Sequence, residues 1–128
     1  MEQIIKKKEV FTMSRLLENL VTKAQEKGFA EVNGRKYKYD YGCKGILKEK
    51  YSIEIENNIL RLKHWGTLTL EIDIDNKKVI NVYGNSSSDR YSINFILNEY
   101  NLPFHVHYYP SRDTFELHDE QDNVIMAI

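Results

Sequence analysis

The chain has 128 residues, 41% hydrophobic and 29% charged, with two prolines and six glycines, a composition that belongs to folded globular proteins and not to disordered ones. No run of about 18 apolar residues is present to span a bilayer, and the lysine-bearing start "MEQIIKKKEVF" lacks the apolar core of a secretory signal. Cys43 is the single cysteine, which excludes an internal disulfide and a multi-cysteine metal knuckle, so one α+β domain over 1–128 in a reducing cytoplasm is expected. The net charge of −1 conceals a split: residues 1–50 carry twelve Lys/Arg against seven Asp/Glu, and residues 51–128 carry six against twelve. Such a split steers a charged partner toward one end of the molecule if the fold keeps the halves apart, and cancels if they interleave.

The first ten residues read as a flexible basic N-terminus. A helix is expected over about 12–27, capped by Thr12 or Ser14, with Phe11 stapled to Leu16. Leu16, Leu17, Leu20, Val21 and Ala24 fall on one face of it, and Gly28 supplies the left-handed stop. The period then changes to two. Asn33-Gly34 in "EVNGRK" is the strongest local signal for a two-residue hairpin turn, and "YGCKG" reads as a loop. "YSIEIENNILRLKH" is a second hairpin about Asn57-Asn58, in a register that sets Ile55 opposite Leu60, Ile53 opposite Leu62 and Glu54 opposite Arg61. "TLTLEIDIDNKKVINVY" is a third, with Leu68, Leu70, Ile72 and Ile74 inward and Glu71, Asp73 and Asp75 outward.

A second helix follows, capped by Ser87, Ser88 or Asp89, with Ile93, Ile96, Leu97 and Tyr100 as its buried stripe and Asn101 and Pro103 at its end. "FHVHYYPSRDTFELHD" is a hairpin turning over Ser111-Arg112, and "VIMAI" is a terminal strand. The sequence thus predicts an α+β fold of helix, six strands, helix and three strands. These form a twisted antiparallel sheet of hairpins with both helices on one face.

Four features carry possible chemistry. The Ser111-Arg112 turn pairs His105 with His118 and His107 with Glu116, which brings three imidazoles to one strand face. His105, His107 and His118 would make a workable zinc site with one position left for water, the basis of a small zinc hydrolase. A solvated polar face explains the same residues without a ligand. In "GRKYKYDYG", Lys36 and Lys38 alternate with Tyr37 and Tyr39, a pattern suited to stacking and phosphate contact with single-stranded nucleic acid. Glu71, Asp73 and Asp75 make an acidic stripe on alternate residues. Cys43 has Lys44 and Lys48 nearby to activate its thiol, but no catalytic partner is apparent. No glycine-rich phosphate loop is present, and the serines 86–88 read as a helix cap.

The stretch "HWGTLTLEIDIDNKKVINVYGNSSSDRYSINFIL", residues 64–97, resembles a pattern found in small proteins of phages and mobile elements of Gram-positive bacteria, through "GTLTLEIDI" and "YGNSSSDRYSIN". That resemblance carries no catalytic residue and no cofactor. It implies a phage-encoded, non-enzymatic inhibitor of a host defence protein, a CRISPR-Cas nuclease or its guide-RNA complex being the leading candidate partner. The expected contact residues are Lys36, Tyr37, Lys38, Tyr39, Glu71, Asp73 and Asp75, tyrosine supplying contact area and the charges orientation. A nucleic-acid-binding accessory protein is the alternative.

Overall fold

The structure, a computed structural model, describes the backbone of residues 2–38 and 46–128 and the side chains of residues 13–34 and 49–128. The elements are α1 (Glu2–Lys27), β1 (Phe29–Lys38), β2 (Ile46–Glu56), β3 (Ile59–His64), β4 (Thr67–Asp73), β5 (Lys78–Val82), α2 (Ser87–Glu99), β6 (Phe104–Tyr109), β7 (Thr114–Asp119) and β8 (Val124–Ala127). Strands β1 to β5 form one antiparallel sheet in sequence order, and β6 to β8 form a second. The fold is α+β, as the alternation of helical and strand periods requires. Because the large sheet keeps sequence order, β1 and the start of β2, from residues 1–50, lie toward one edge of it and β3 to β5, from the second half, toward the other.

Helix α1 begins at Glu2, ten residues earlier than the capping signals suggest, so neither Thr12 nor Ser14 caps it and residues 2–10 are helical. No proline or glycine interrupts "EQIIKKKEVFTM", and its Lys and Glu are good helix formers, so the helix continues past both candidate caps. The Ser14 hydroxyl instead meets the Tyr91 hydroxyl of α2 at 2.5 Å, and Gln25 Nε2 donates to the Tyr100 hydroxyl at 3.0 Å. Leu17, Leu20, Val21 and Ala24 are buried as expected. Gly28 ends the helix at φ 81°, its N–H donating to the Ala24 carbonyl at 2.7 Å.

Asn33-Gly34 is not a turn. Strand β1 runs straight through it, with a shift of register against β2 between Asn33 and Lys36. The glycine serves a close approach of β2 instead of a reversal, and among the described residues five strands replace the expected six before α2. The reversal itself, with Tyr39, Cys43 and the "YGCKG" loop, lies outside the described residues. Lys36, Tyr37 and Lys38 lie on β1 opposite Lys48, Leu47 and Ile46, and their side chains also fall outside the description.

The Asn57-Asn58 hairpin has the expected register throughout, extended to Tyr51 opposite His64, and both turn residues have positive φ (52° and 63°). In the third hairpin Leu70 and Ile72 are buried, but a bulge between Leu62 and Lys63 sets Leu68 opposite Lys63 and only half-buries it. Asp75 lies in the β4–β5 turn, beyond the end of the strand. Ser86 caps α2, its Oγ accepting the Asp89 N–H at 3.1 Å, one residue before the expected candidates.

One apolar cluster joins both sheets through α2. Ile53, Leu60, Leu62, Leu70 and Ile72 of the large sheet meet the α1 stripe and Ile93, Ile96 and Leu97, and the same cluster continues to Val106 and Leu117 of the small sheet. The small sheet is tied on by Asn94, whose side chain accepts from the Val106 N–H at 2.7 Å and donates to the Val106 carbonyl at 3.1 Å. It satisfies the outer edge of β6 as a neighbouring strand would. Asn94→Ala leaves both groups without that partner and should cost about 2 kcal/mol. Urea unfolding should show the loss, together with faster amide exchange at Val106 than at Leu117.

Candidate functional site

Alternation along the Asn57-Asn58 hairpin places Tyr51, Ile53 and Ile55 on the core face of β2 and Leu60, Leu62 and His64 on the core face of β3. The same count carries the core face back to Glu49. A carboxylate and an imidazole therefore occupy positions where an apolar residue would normally sit, with 1% and 5% exposure. The first turn of α2 brings in Asp89, also buried.

The three side chains form a row. His64 Nε2 lies 2.6 Å from Glu49 Oε2, and His64 Nδ1 lies 2.6 Å from Asp89 Oδ1. Tyr51, fully buried, stacks on the imidazole with ring centroids 4.3 Å apart and planes 2° from parallel, and its hydroxyl donates to Glu49 Oε2 at 3.3 Å. The other oxygen of Asp89 accepts the Asn85 N–H at 3.2 Å. Gly34 stands against Glu49: a Cβ there would come within 2.5 Å of Glu49 Oε1, so the carboxylate has room only because residue 34 has no side chain.

Carboxylates only accept unless protonated, and a neutral imidazole donates from one nitrogen alone. Two short contacts therefore need two protons shared among the three groups.

Above this row opens a cleft of about 390 Å³, lined by Glu49, His64, Asp89, Trp65, Tyr83 and the polar residues Thr67, Thr69, Asn85, Ser86 and Ser88. Trp65, in the tight turn between β3 and β4, is 41% exposed, and Tyr83, just after β5, is 50% exposed. Among the described residues, the members of the row are the charged groups of the lining.

The residues singled out from sequence are distributed elsewhere. Glu71 Oε2 accepts from Arg61 Nε at 2.7 Å, Asp73 accepts from the backbone and side chain of Asn76, and Asp75 Oδ2 accepts from Asn58 Nδ2 at 2.8 Å. The Asn76 contacts hold the Asp73 carboxyl below the usual carboxylate range. Each member of the acidic stripe thus has an intramolecular partner.

The histidine hairpin has the expected register, His105 opposite His118 and His107 opposite Glu116. The donor atoms that converge belong to His105, His118 and Asp122, all within 4.8 Å of one another. His107 lies instead over the face of His118, ring centroids 5.4 Å apart and planes 26° from parallel.

Glu49, His64 and Asp89 were not among the candidates read from sequence. Polar residues at two core positions of an otherwise apolar hairpin face were the available signal for Glu49 and His64. Asp89 joins them only in three dimensions.

Comparison with known proteins returned no matching family model, no matching curated sequence and no matching solved structure. Among the described residues no helix is long and apolar enough to cross a membrane.

Removing the imidazole leaves two buried carboxylates facing one another without a proton donor between them. His64→Ala should lower stability by about 3–5 kcal/mol. Tyr51→Phe, which loses the 3.3 Å hydroxyl contact and keeps the ring stacked on His64, should cost about 1 kcal/mol. Chemical denaturation of both variants beside the parent protein measures the contrast.

Proposed function

We propose that this protein acts by binding, as a non-enzymatic inhibitor whose cleft seats a basic side chain of a partner protein between Trp65 and Tyr83. The observation that carries the reading is the pair of carboxylates, Glu49 and Asp89, on either side of His64 at the floor of a cleft flanked by two exposed aromatic rings. A guanidinium or ammonium group entering there gains ionic attraction from the floor. It also gains contact with ring faces, worth about 0.5–2 kcal/mol for each well-placed ring. Both nitrogens of His64 are engaged by carboxylates, an arrangement that favours a fixed charge over proton abstraction from a substrate.

Among the described residues, every lining residue except Glu49 falls within residues 64–97, the stretch that resembles phage and mobile-element proteins. The partner class follows from that resemblance: a host defence protein, with a CRISPR-Cas nuclease complex first, since nucleic-acid-binding proteins present grooves rich in Lys and Arg. The cleft takes precedence over the acidic stripe as the contact surface because its carboxylates lie in a concave site beside two exposed aromatic rings.

Trp65 is the only tryptophan, so its fluorescence reports directly on the cleft. Titration with an arginine-rich peptide should shift the emission, and an acidic peptide of equal length should not. Trp65→Ala should weaken inhibition of a target nuclease at least tenfold, about 1.4 kcal/mol or more, with little loss of fold stability. Equal inhibition by Trp65→Ala and parent protein would remove the cleft from the interface, and a nuclease unaffected by the parent protein would remove that partner.

A further inference from the structure

The geometry points to a divalent transition-metal site, best suited to zinc, formed by His105 Nε2, His118 Nδ1 and Asp122 on the small sheet. His118 is 3% exposed, yet its Nδ1 is buried without a hydrogen-bond partner, alone among the buried side-chain nitrogens and oxygens of the described residues. The other ring nitrogen explains why. His118 Nε2 lies 3.2 Å from Glu116 Oε1 and 3.4 Å from the Tyr109 hydroxyl. With the Nε2 proton donated to Glu116, Nδ1 carries a bare lone pair.

That lone pair faces another acceptor, Asp122 Oδ1, at 3.8 Å. The same carboxylate oxygen lies 3.6 Å from His105 Nε2. Three electron-pair donors converging on one space, at distances too long for hydrogen bonds between them, are suited to a cation. Tetrahedral zinc with bonds of about 2.0–2.1 Å sets its ligands roughly 3.3 Å apart, so the Asp122 oxygen lies within about half an ångström of the required separation from each imidazole, and the two ring nitrogens, within 4.8 Å of each other, must draw closer. His105 is half-exposed and Asp122 is on the surface, so both can shift.

The surrounding groups are those a metal-bound imidazole ordinarily has. A carboxylate on the remote ring nitrogen fixes the tautomer and raises the basicity of the ligand, and Glu116 is in that position. The loop that delivers Asp122 is built independently of any ion. The Asp119 carboxylate accepts the N–H groups of Gln121 and Asn123 at 2.9 Å each, and the Asp122 N–H donates to the Asp119 carbonyl at 3.1 Å. Two imidazoles and one carboxylate suit zinc over magnesium or calcium, which prefer all-oxygen sets, and three protein donors leave a fourth position for water. His107 is not a ligand in this arrangement. A ring lying over the face of His118 is displaced from the ring plane in which Nδ1 directs its lone pair.

The test is calorimetric titration of zinc into untagged, chelator-treated protein, with native mass spectrometry for stoichiometry. One zinc per chain is expected. Asp122→Asn, at an exposed position that the fold does not need, should weaken binding at least tenfold, as should His105→Gln, and Glu116→Gln should weaken it through His118. His107→Gln should change affinity less than twofold. Long-range proton–nitrogen spectra of the histidine rings should show zinc on Nδ1 of His118. Absence of binding at micromolar zinc would overturn the site. Binding that is indifferent to Asp122→Asn, or abolished by His107→Gln, would overturn the ligand set.

Discussion

Two carboxylates held 2.6 Å from the nitrogens of one buried imidazole constrain everything around them. Desolvating these groups is costly, and the cost is offset only while all three stay in register. Glu49 comes from β2, His64 from the end of β3 and Asp89 from the first turn of α2, so the row joins the sheet to the helix that follows it. Asp89 also complements the positive end of that helix and holds the Asn85 amide, so the entry to α2 and the charge of the cleft are set by one side chain. The same constraint explains a glycine in mid-strand: Gly34 stands where any side chain would displace Glu49.

Helix α2 is the second organising element. Its apolar side packs into the core shared by both sheets, and Asn94 pairs with the edge of β6. At its far end Lys77, from the β4–β5 turn, donates to the Tyr100 carbonyl at 2.5 Å. The helix thus positions both candidate sites without belonging wholly to either. The aromatic cleft lies at its N-terminus, and the histidine cluster lies on the sheet it holds in place. The two are chemically unlike. One is a closed row of two carboxylates and an imidazole beneath aromatic walls. The other is a set of donors with a lone pair left open.

Much of this was legible in the residues. The hairpins about Asn57-Asn58 and Ser111-Arg112 have the registers that alternation assigns, because a one-residue slip would turn every apolar side chain to water. The helix stripes and the stop at Gly28 were legible for the same kind of reason. Asn33-Gly34 was misleading: its turn propensity is local, whereas the close approach of a buried glutamate is not. The start of α1 was misplaced because capping residues permit a helix to begin without obliging it to.

Local chemistry therefore determined the α+β class, the faces of the strands and the pairing of His105 with His118. Tertiary structure alone decided which polar groups meet. Glu49 and Asp89 are forty residues apart in the chain and share one imidazole, and Asp122, from the turn between β7 and β8, meets His105 and His118. Periodicity reports which way a side chain points from its own strand. The distance between two side chains on different elements depends on how those elements pack, and packing is settled by the whole core at once.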